Sequence, residues 1–201
     1  MSRNFLSKLF SKITTKNLSE GIISNERPDG AKIERAVQII SGLQQEIGEC
    51  IKSGHGPFVA VIYDGDGNLV AKSSNSVVND KCSHNHAEIN VIREAEKVLN
   101  TYNLAPYNLK LYVTSEPCMM CLGAIMWSGI KEVYYGVPSS KVEKITGFDE
   151  GFKPDWQTEF KKRGITVYGN ILPELGEEKL KEYVASDNII YRPSADNALK
   201  R

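Results

Sequence analysis

Three side chains that bind soft metal ions are divided between two short stretches, His86-Ala87-Glu88 and Pro117-Cys118-Met119-Met120-Cys121. A fold that uses all three must bring the stretches together. Asn85 precedes the first and Ser115-Glu116-Pro117 leads into the second, which is helix-start chemistry with proline tolerated in the first turn. Both stretches therefore read as helix beginnings. Zinc takes imidazole nitrogen and thiolate sulfur in tetrahedral geometry; four protein ligands close a structural site, whereas three leave a position open for water or substrate. His86, Cys118 and Cys121 supply three. Zinc lowers the pKa of a bound water from about 15.7 to roughly 7. Glu88, just beyond His86 and outside the ligand set, is placed to move that water's proton to a leaving group.

Two plainer readings stand beside this one. Cys82 or His84 would close the site if either supplied a fourth ligand. Glu88 taken alone is an acid in a first helical turn, favoured there by the helix dipole. A structural site has no use for Glu88, which favours the open one. His55 and His84 read as polar loop residues without an assigned role.

The chain of 201 residues suits one main domain, and 41% hydrophobic residues are enough for a sizeable core. With 25 basic and 25 acidic residues, no overall charge draws it to nucleic acid or an anionic membrane, which favours a small substrate. Four cysteines, two of them in the Cys-x-x-Cys, fit metal binding in a reducing compartment better than a disulfide framework. No apolar run approaches the ~20 residues that span a bilayer, and no secretory signal is visible. The expectation is a soluble, cytoplasmic protein.

Residues 1–19 carry Arg3, Lys8, Lys12 and Lys16 without an acid, and Leu6, Leu9, Phe10 and Ile13 share a helical face. Such a segment targets an organelle or lies on a membrane, or is an N-terminal tail with surface lysines; the plainer reading is favoured. Gly21 to Gly30 reads as a linker. The expected organisation is an extension and linker over 1–30, a domain over 31–192 and a tail over 193–201.

From Ala31 to Lys52, Ile33, Val37, Ile40, Leu43, Ile47 and Ile51 recur with helical period. Phe58–Tyr63 and Leu69–Lys72 flank Asp64-Gly65-Asp66-Gly67-Asn68 and read as a hairpin. Further helices are expected over His86–Asn100, from the Cys motif through Trp127, near Pro154–Lys162 and over Leu175–Ala185. Strands are expected at Leu109–Thr114, Glu132–Val137 and Ile165–Tyr168, with a loop after Val137. This alternation predicts an α/β fold, a three-layer α/β/α sandwich around a mixed sheet. Lys161-Lys162-Arg163 and Glu177-Glu178 read as solvated faces.

The paired motifs resemble the cytidine-deaminase-like zinc deaminases, which act on the amino groups of nucleobases. The resemblance covers about 31–192 and lies nearest bacterial guanine deaminases. It implies a five-stranded mixed sheet with the two zinc-bearing helices on one face, one zinc per subunit, and hydrolytic deamination of a nucleobase. Guanine is favoured, over a tRNA-specific adenosine deaminase, a cytosine or nucleoside deaminase, or a non-catalytic zinc-binding module. Gly56-Pro57-Phe58 is similar to a segment that sets an aromatic ring near the base, and Asn75 to an asparagine that contacts base or sugar. Leu122 to Trp127 resembles the guanine deaminase pattern with Trp127 as a pocket wall, and the Ala87 amide would orient the base.

Gly147-Phe148-Asp149-Glu150 is similar to a Gly-Phe-Asp-Asp stretch whose acid reads the base. The second acid here is glutamate, so Asp149 and Glu150 are both candidates. Cys82-Ser83-His84-Asn85 stands where the family often has Asp-Pro-Thr-Ala, which alters the rim before the zinc helix. The resemblance also implies a homodimer whose C-terminal tail closes the neighbouring subunit's pocket, with Tyr191 as the candidate closing residue. Taken without the family, Phe58 and Trp127 are equally core residues, Asn75 a turn cap and Asp149 a surface acid.

Overall fold

Strand β2 (Val59–Tyr63) is apolar on both faces, which requires a layer on each side of it. Its side chains alternate, so Val59 and Val61 pack into one cluster and Ala60 and Ile62 into another, all four buried. The computed structural model describes Ile22–Ile23 and residues 30–191. Its elements run β1 (Ile22–Ile23), α1 (Gly30–Lys52), β2, β3 (Leu69–Ser74), α2 (Ala87–Val98), a 3₁₀ turn (Ala105–Tyr107), β4 (Lys110–Ser115) and α3 (Met119–Ser128). β5 (Glu132–Val137), α4 (Ser139–Thr146), α5 (Trp156–Lys162), β6 (Thr166–Tyr168) and α6 (Pro173–Val184) follow.

The sheet order is β1-β6-β5-β4-β2-β3. β4, β5 and β6 are parallel to one another, and the remaining pairings are antiparallel. The expected five-stranded mixed sheet and three layers are present. One strand is added: Ile22 pairs with Tyr168 and Ile23 with Val167, within the stretch read as linker. A two-residue pairing is enough to occupy the open edge of β6, and so short a strand leaves no periodic signal.

On one face, α1 lays Val37, Ile40, Leu43 and Ile47 against Val59, Val61 and a row of tyrosines. Tyr112 stacks on Tyr134 at 4.5 Å between ring centroids, and Tyr134 on Tyr168 at 4.9 Å. On the other face, Ala87, Val91 and Ala95 of α2, Leu122 and Ile125 of α3, and Trp156 and Phe160 of α5 cover Ile62, Leu111, Val133 and Val167. Both ligand-bearing helices therefore lie on the same side of the sheet, as expected.

The loop expected after Val137 contains helix α4. Only Ser139, Val142 and Thr146 of it are buried, too sparse a stripe to declare a helix from sequence. Val142 joins Val137 and Leu180 in a small separate cluster. The expectations for residues 1–19 and 193–201 fall outside the described residues. Among the described residues no helix is long and apolar enough to cross a membrane.

Helix α3 ends at Gly129, at φ 90°, where an added Cβ would lie 2.7 Å from the Ala105 backbone nitrogen. Both the left-handed conformation and the close approach require glycine. Gly129→Ala is expected to destabilise the fold by about 1–3 kcal/mol, read as a lower denaturation midpoint.

Candidate active site

His86 and Cys118 are the residues that immediately precede α2 and α3. Both are extended (φ −71°, ψ 156° and φ −69°, ψ 171°), and neither side chain caps its helix. This shifts the helix starts one residue or more past Asn85 and Ser115-Glu116-Pro117. Asn85 instead donates from Nδ2 to Asp80 Oδ2 at 2.8 Å. The side chains at the two cap positions turn toward each other, and Cys121, one turn into α3, completes the group.

His86 Nδ1 lies 3.5 Å from Cys118 Sγ and 3.6 Å from Cys121 Sγ, and the two sulfurs are 3.6 Å apart. Tetrahedral zinc with bonds of about 2.3 Å to sulfur and about 2.05 Å to nitrogen requires separations of about 3.6 Å for N···S and about 3.8 Å for S···S. The donor set fits zinc. Among the described residues, the group of potential ligand atoms within 4.8 Å of one another is His86, Cys118 and Cys121. Cys82 and His84 are outside it: Cys82 Sγ lies 3.4 Å from the His84 ring nitrogens. Among the described residues this group offers three ligand atoms, the number that the open arrangement uses.

The N-termini of α2 and α3 both point at this centre, and their dipoles favour negative charge there. The hydrogen bond shared with Cys121 holds the Cys118 thiol down to about 4, with His86 adding to the effect, while Cys121 is pushed well above the usual thiol range. Ion binding takes both as thiolates, so loading releases protons. Glu88 is 6% exposed. Burial pushes its carboxyl up to about 7, with Cys118 adding to the shift.

A cavity of about 630 Å³ opens beside the ligands, at the carboxyl end of β4, where open α/β sheets hold their ligands. Glu88, His86, Cys118, Phe58 and Asn75 line it. Asn75 is held by His55, whose Nδ1 donates to the Asn75 carbonyl at 2.9 Å, and its Oδ1 accepts from Val77 N at 3.2 Å. Gly56 is required beside it, since a Cβ there would lie 2.7 Å from Asn75 Oδ1. Phe58 meets Phe148 edge-on at 5.4 Å, and Phe148 meets Tyr183 at 5.8 Å, forming an aromatic wall.

Of the two candidate acids at the loop after α4, both line the cavity, but Asp149 is exposed and accepts from Gly151 N at 2.8 Å. Glu150 is buried; burial pushes it up to about 8, Cys118 adds to the shift and Lys153 opposes it. Ala87 is fully buried in the first turn of α2 and does not itself line the cavity. Trp127 is 89% exposed and is not among the residues that line this chain's cavity. Helix α3 turns Cys121, Leu122, Ile125 and Ser128 inward, which puts Trp127 on the outer face.

Tyr183, Glu116 and Lys153 escaped the sequence reading. Tyr183 sits on an ordinary amphipathic helix, where an aromatic residue reads as core, yet it lines the cavity and donates to the Ile189 carbonyl at 2.5 Å. Ile189 and Tyr191 line the cavity of their own chain. Glu116 directly precedes the Pro-Cys pair, which was a usable signal; nothing marked Lys153.

The cytidine and deoxycytidylate deaminase zinc-binding region matches residues 32–137, just over half of the chain, and the chain belongs to that family. The guanine deaminase of Bacillus subtilis (strain 168) is 42% identical over 97 residues, which are 48% of this chain and 60% of that enzyme. The chain thus matches about three fifths of the Bacillus enzyme's length. The tRNA-specific adenosine deaminase of Haemophilus influenzae is 37% identical over 130 residues, covering 65% of this chain and 72% of that one. The solved structure of guanine deaminase from Nitrosomonas europaea superimposes with a TM-score of 0.71 at 34% identity, over 81% of this chain and 90% of that one.

Cys118→Ser and Cys121→Ser are each expected to purify with little zinc, whereas Cys82→Ala retains the wild-type content. Elemental analysis of the purified proteins checks both.

Proposed function

We propose that the protein hydrolyses the exocyclic amine of a free nucleobase, with guanine as the preferred substrate, giving xanthine and ammonia. The observation that carries this reading is the pair of buried carboxylates, Glu88 and Glu150, on one cavity that has no lysine or arginine among its lining residues. In adenine and cytosine the carbon bearing the amine has a bare ring nitrogen on one side and a carbon on the other. Guanine has a bare ring nitrogen on one side and a ring N–H on the other. Glu88 has a proton acceptor to serve in all three bases; a second carboxyl group finds a ring N–H beside the reacting carbon only in guanine. The relatedness to guanine deaminases supports the same choice.

Zinc, when bound, supplies the acidified water that hydrolysis needs at neutral pH. Glu88 carries one proton from the attacking water to the bare ring nitrogen and a second to the departing amine, which leaves as ammonia. Glu150 accepts the ring N–H, with Asp149 at the mouth. Phe58 and Phe148 bound the flat faces of the base. Asn75, its Oδ1 already occupied by Val77, offers its amide N–H to an acceptor on the ring, and the Ala87 amide at the start of α2 orients the reacting end.

The rival is a tRNA adenosine deaminase, favoured by the match to the Haemophilus enzyme. It must grip phosphates, and Glu88, Glu116, Asp149 and Glu150 line this cavity with no lysine or arginine among its described walls. Ammonia release from a panel of bases, nucleosides and tRNA decides. Guanine turnover is expected to be fastest and insensitive to salt; fastest turnover of tRNA, lost as salt rises, would sink the guanine reading. Glu88→Gln is expected to keep its zinc and lose about 10²–10⁴-fold in kcat; full activity would remove Glu88 from the mechanism.

The assembly is read as a homodimer. Met120, Gly123, Ala124 and Trp127 form a stripe along α3 with Trp127 89% exposed, an apolar surface that a second copy would cover. Ile189 and Tyr191 line their own chain's cavity, which supports closure by the stretch that follows α6 in the same chain. Four cysteines outside any disulfide, two of them in the metal-ligand group, support a cytoplasmic location. Trp127→Glu is expected to halve the mass seen by light scattering, and a monomeric wild type would end the dimer reading.

A further inference from the structure

We infer that Lys153 and Glu116 form a positioning pair that sets the buried Glu150 in the pocket and so governs which base is accepted, an inference that rests on the function proposed above. The stretch between α4 and α5 brings Phe148, Asp149 and Glu150 to the cavity without belonging to the sheet or to a helix. Two of its ties are local. Phe148 N donates to Thr146 Oγ1 at 3.0 Å, and Glu150 N donates to Glu143 Oε1 at 3.3 Å, both partners lying on α4 itself. These ties fix the loop to its own helix and leave open where that helix stands relative to the metal ligands.

Val142 packs α4 on Val137 and Leu180, and Glu116 adds a polar tie directly to the ligand turn. Its backbone N–H donates to the Val137 carbonyl at 2.8 Å, extending the pairing of β4 and β5 to the edge of the Pro117-Cys118 turn. One carboxylate oxygen accepts from Ser139 N at 2.9 Å, the first residue of α4, and the other accepts from Lys153 Nζ at 3.0 Å. Lys153 Nζ also reaches Ser139 Oγ. The start of α4 and the far end of the loop thus hang on one side chain that stands two residues from Cys118. The Lys153 and Glu116 side chains are 17% and 14% exposed, so the pair is little screened, and loss of one partner leaves the other buried and uncompensated. Lys153 also provides a cation near Glu150, which shares the cavity with the carboxylate of Glu88.

Steady-state kinetics with guanine and adenine, on zinc-loaded wild type, Lys153→Met and Lys153→Arg, test the inference. Lys153→Met is expected to raise KM for guanine by about tenfold or more, as small misplacements of binding groups do. It should change kcat less and reduce the preference for guanine over adenine at unchanged zinc content. Lys153→Arg should restore most of the preference. In a Glu150→Gln background the Lys153→Met change should no longer alter base preference, because the lysine acts through that acid; a purely structural role would lower stability alike in both backgrounds. Lys153→Gln replaces Lys153→Met if the latter does not fold, with the same result expected. Wild-type KM and base preference in the Lys153 variants would overturn the positioning pair and leave the proposed function standing. No ammonia from guanine with the wild type, but release from another base, would overturn the guanine reading, and the Lys153 variants would then be scored on that base.

Discussion

The convergence of two helix beginnings on one point is the constraint that the rest of the molecule serves. A helix start normally satisfies its free N–H groups with the side chain of the capping residue. Here the capping residues are His86 and Cys118, and both direct their side chains to the metal group instead. The exposed amides and dipoles of α2 and α3 then reinforce the negative charge of the thiolates and of Glu88. Neither helix could be rotated or slid along the sheet without parting nitrogen from sulfur, so the packing beneath them must hold both in register.

The sheet provides that register. β4 lies between β2 and β5 and leads through Ser115 to the Cys118 turn. β2 and β3 carry α2 on the same face that receives α3. The opposite face is closed by α1 over stacked tyrosines, a flat, rigid layer remote from the chemistry. Concentrating the reactive groups at one end of the strands leaves the remaining sheet free to be a core. The third cluster, around Val137, Val142 and Leu180, then supports the aromatic wall of the pocket.

Where a physical signal was strong and local, the sequence disclosed it. The recurrence of Val37, Ile40, Leu43 and Ile47 marked α1, β-rich runs bounded by turn residues marked the strands, and two short motifs marked the three metal ligands and Glu88. Where the signal depended on tertiary partners, it failed. Helix α4 buries too few residues to show a stripe. Helix α3 is apolar on nearly every side, so periodicity could not say that Trp127 faces outward while Ile125 faces in. Asp149 and Glu150 differ in burial, which no local pattern encodes, and Lys153 became visible only when a partner thirty-seven residues away came within hydrogen-bonding distance.

The two tryptophans of the chain occupy opposite environments. Trp156 is 8% exposed and packs edge-on against Phe160 at 5.2 Å, within the core beneath α5, whereas Trp127 stands on the outer face of α3. Intrinsic fluorescence of the single chain therefore contains a blue, quencher-resistant component and a red, quencher-accessible one. The two report separately on the interior and on whatever covers the outer surface of α3, without an added label.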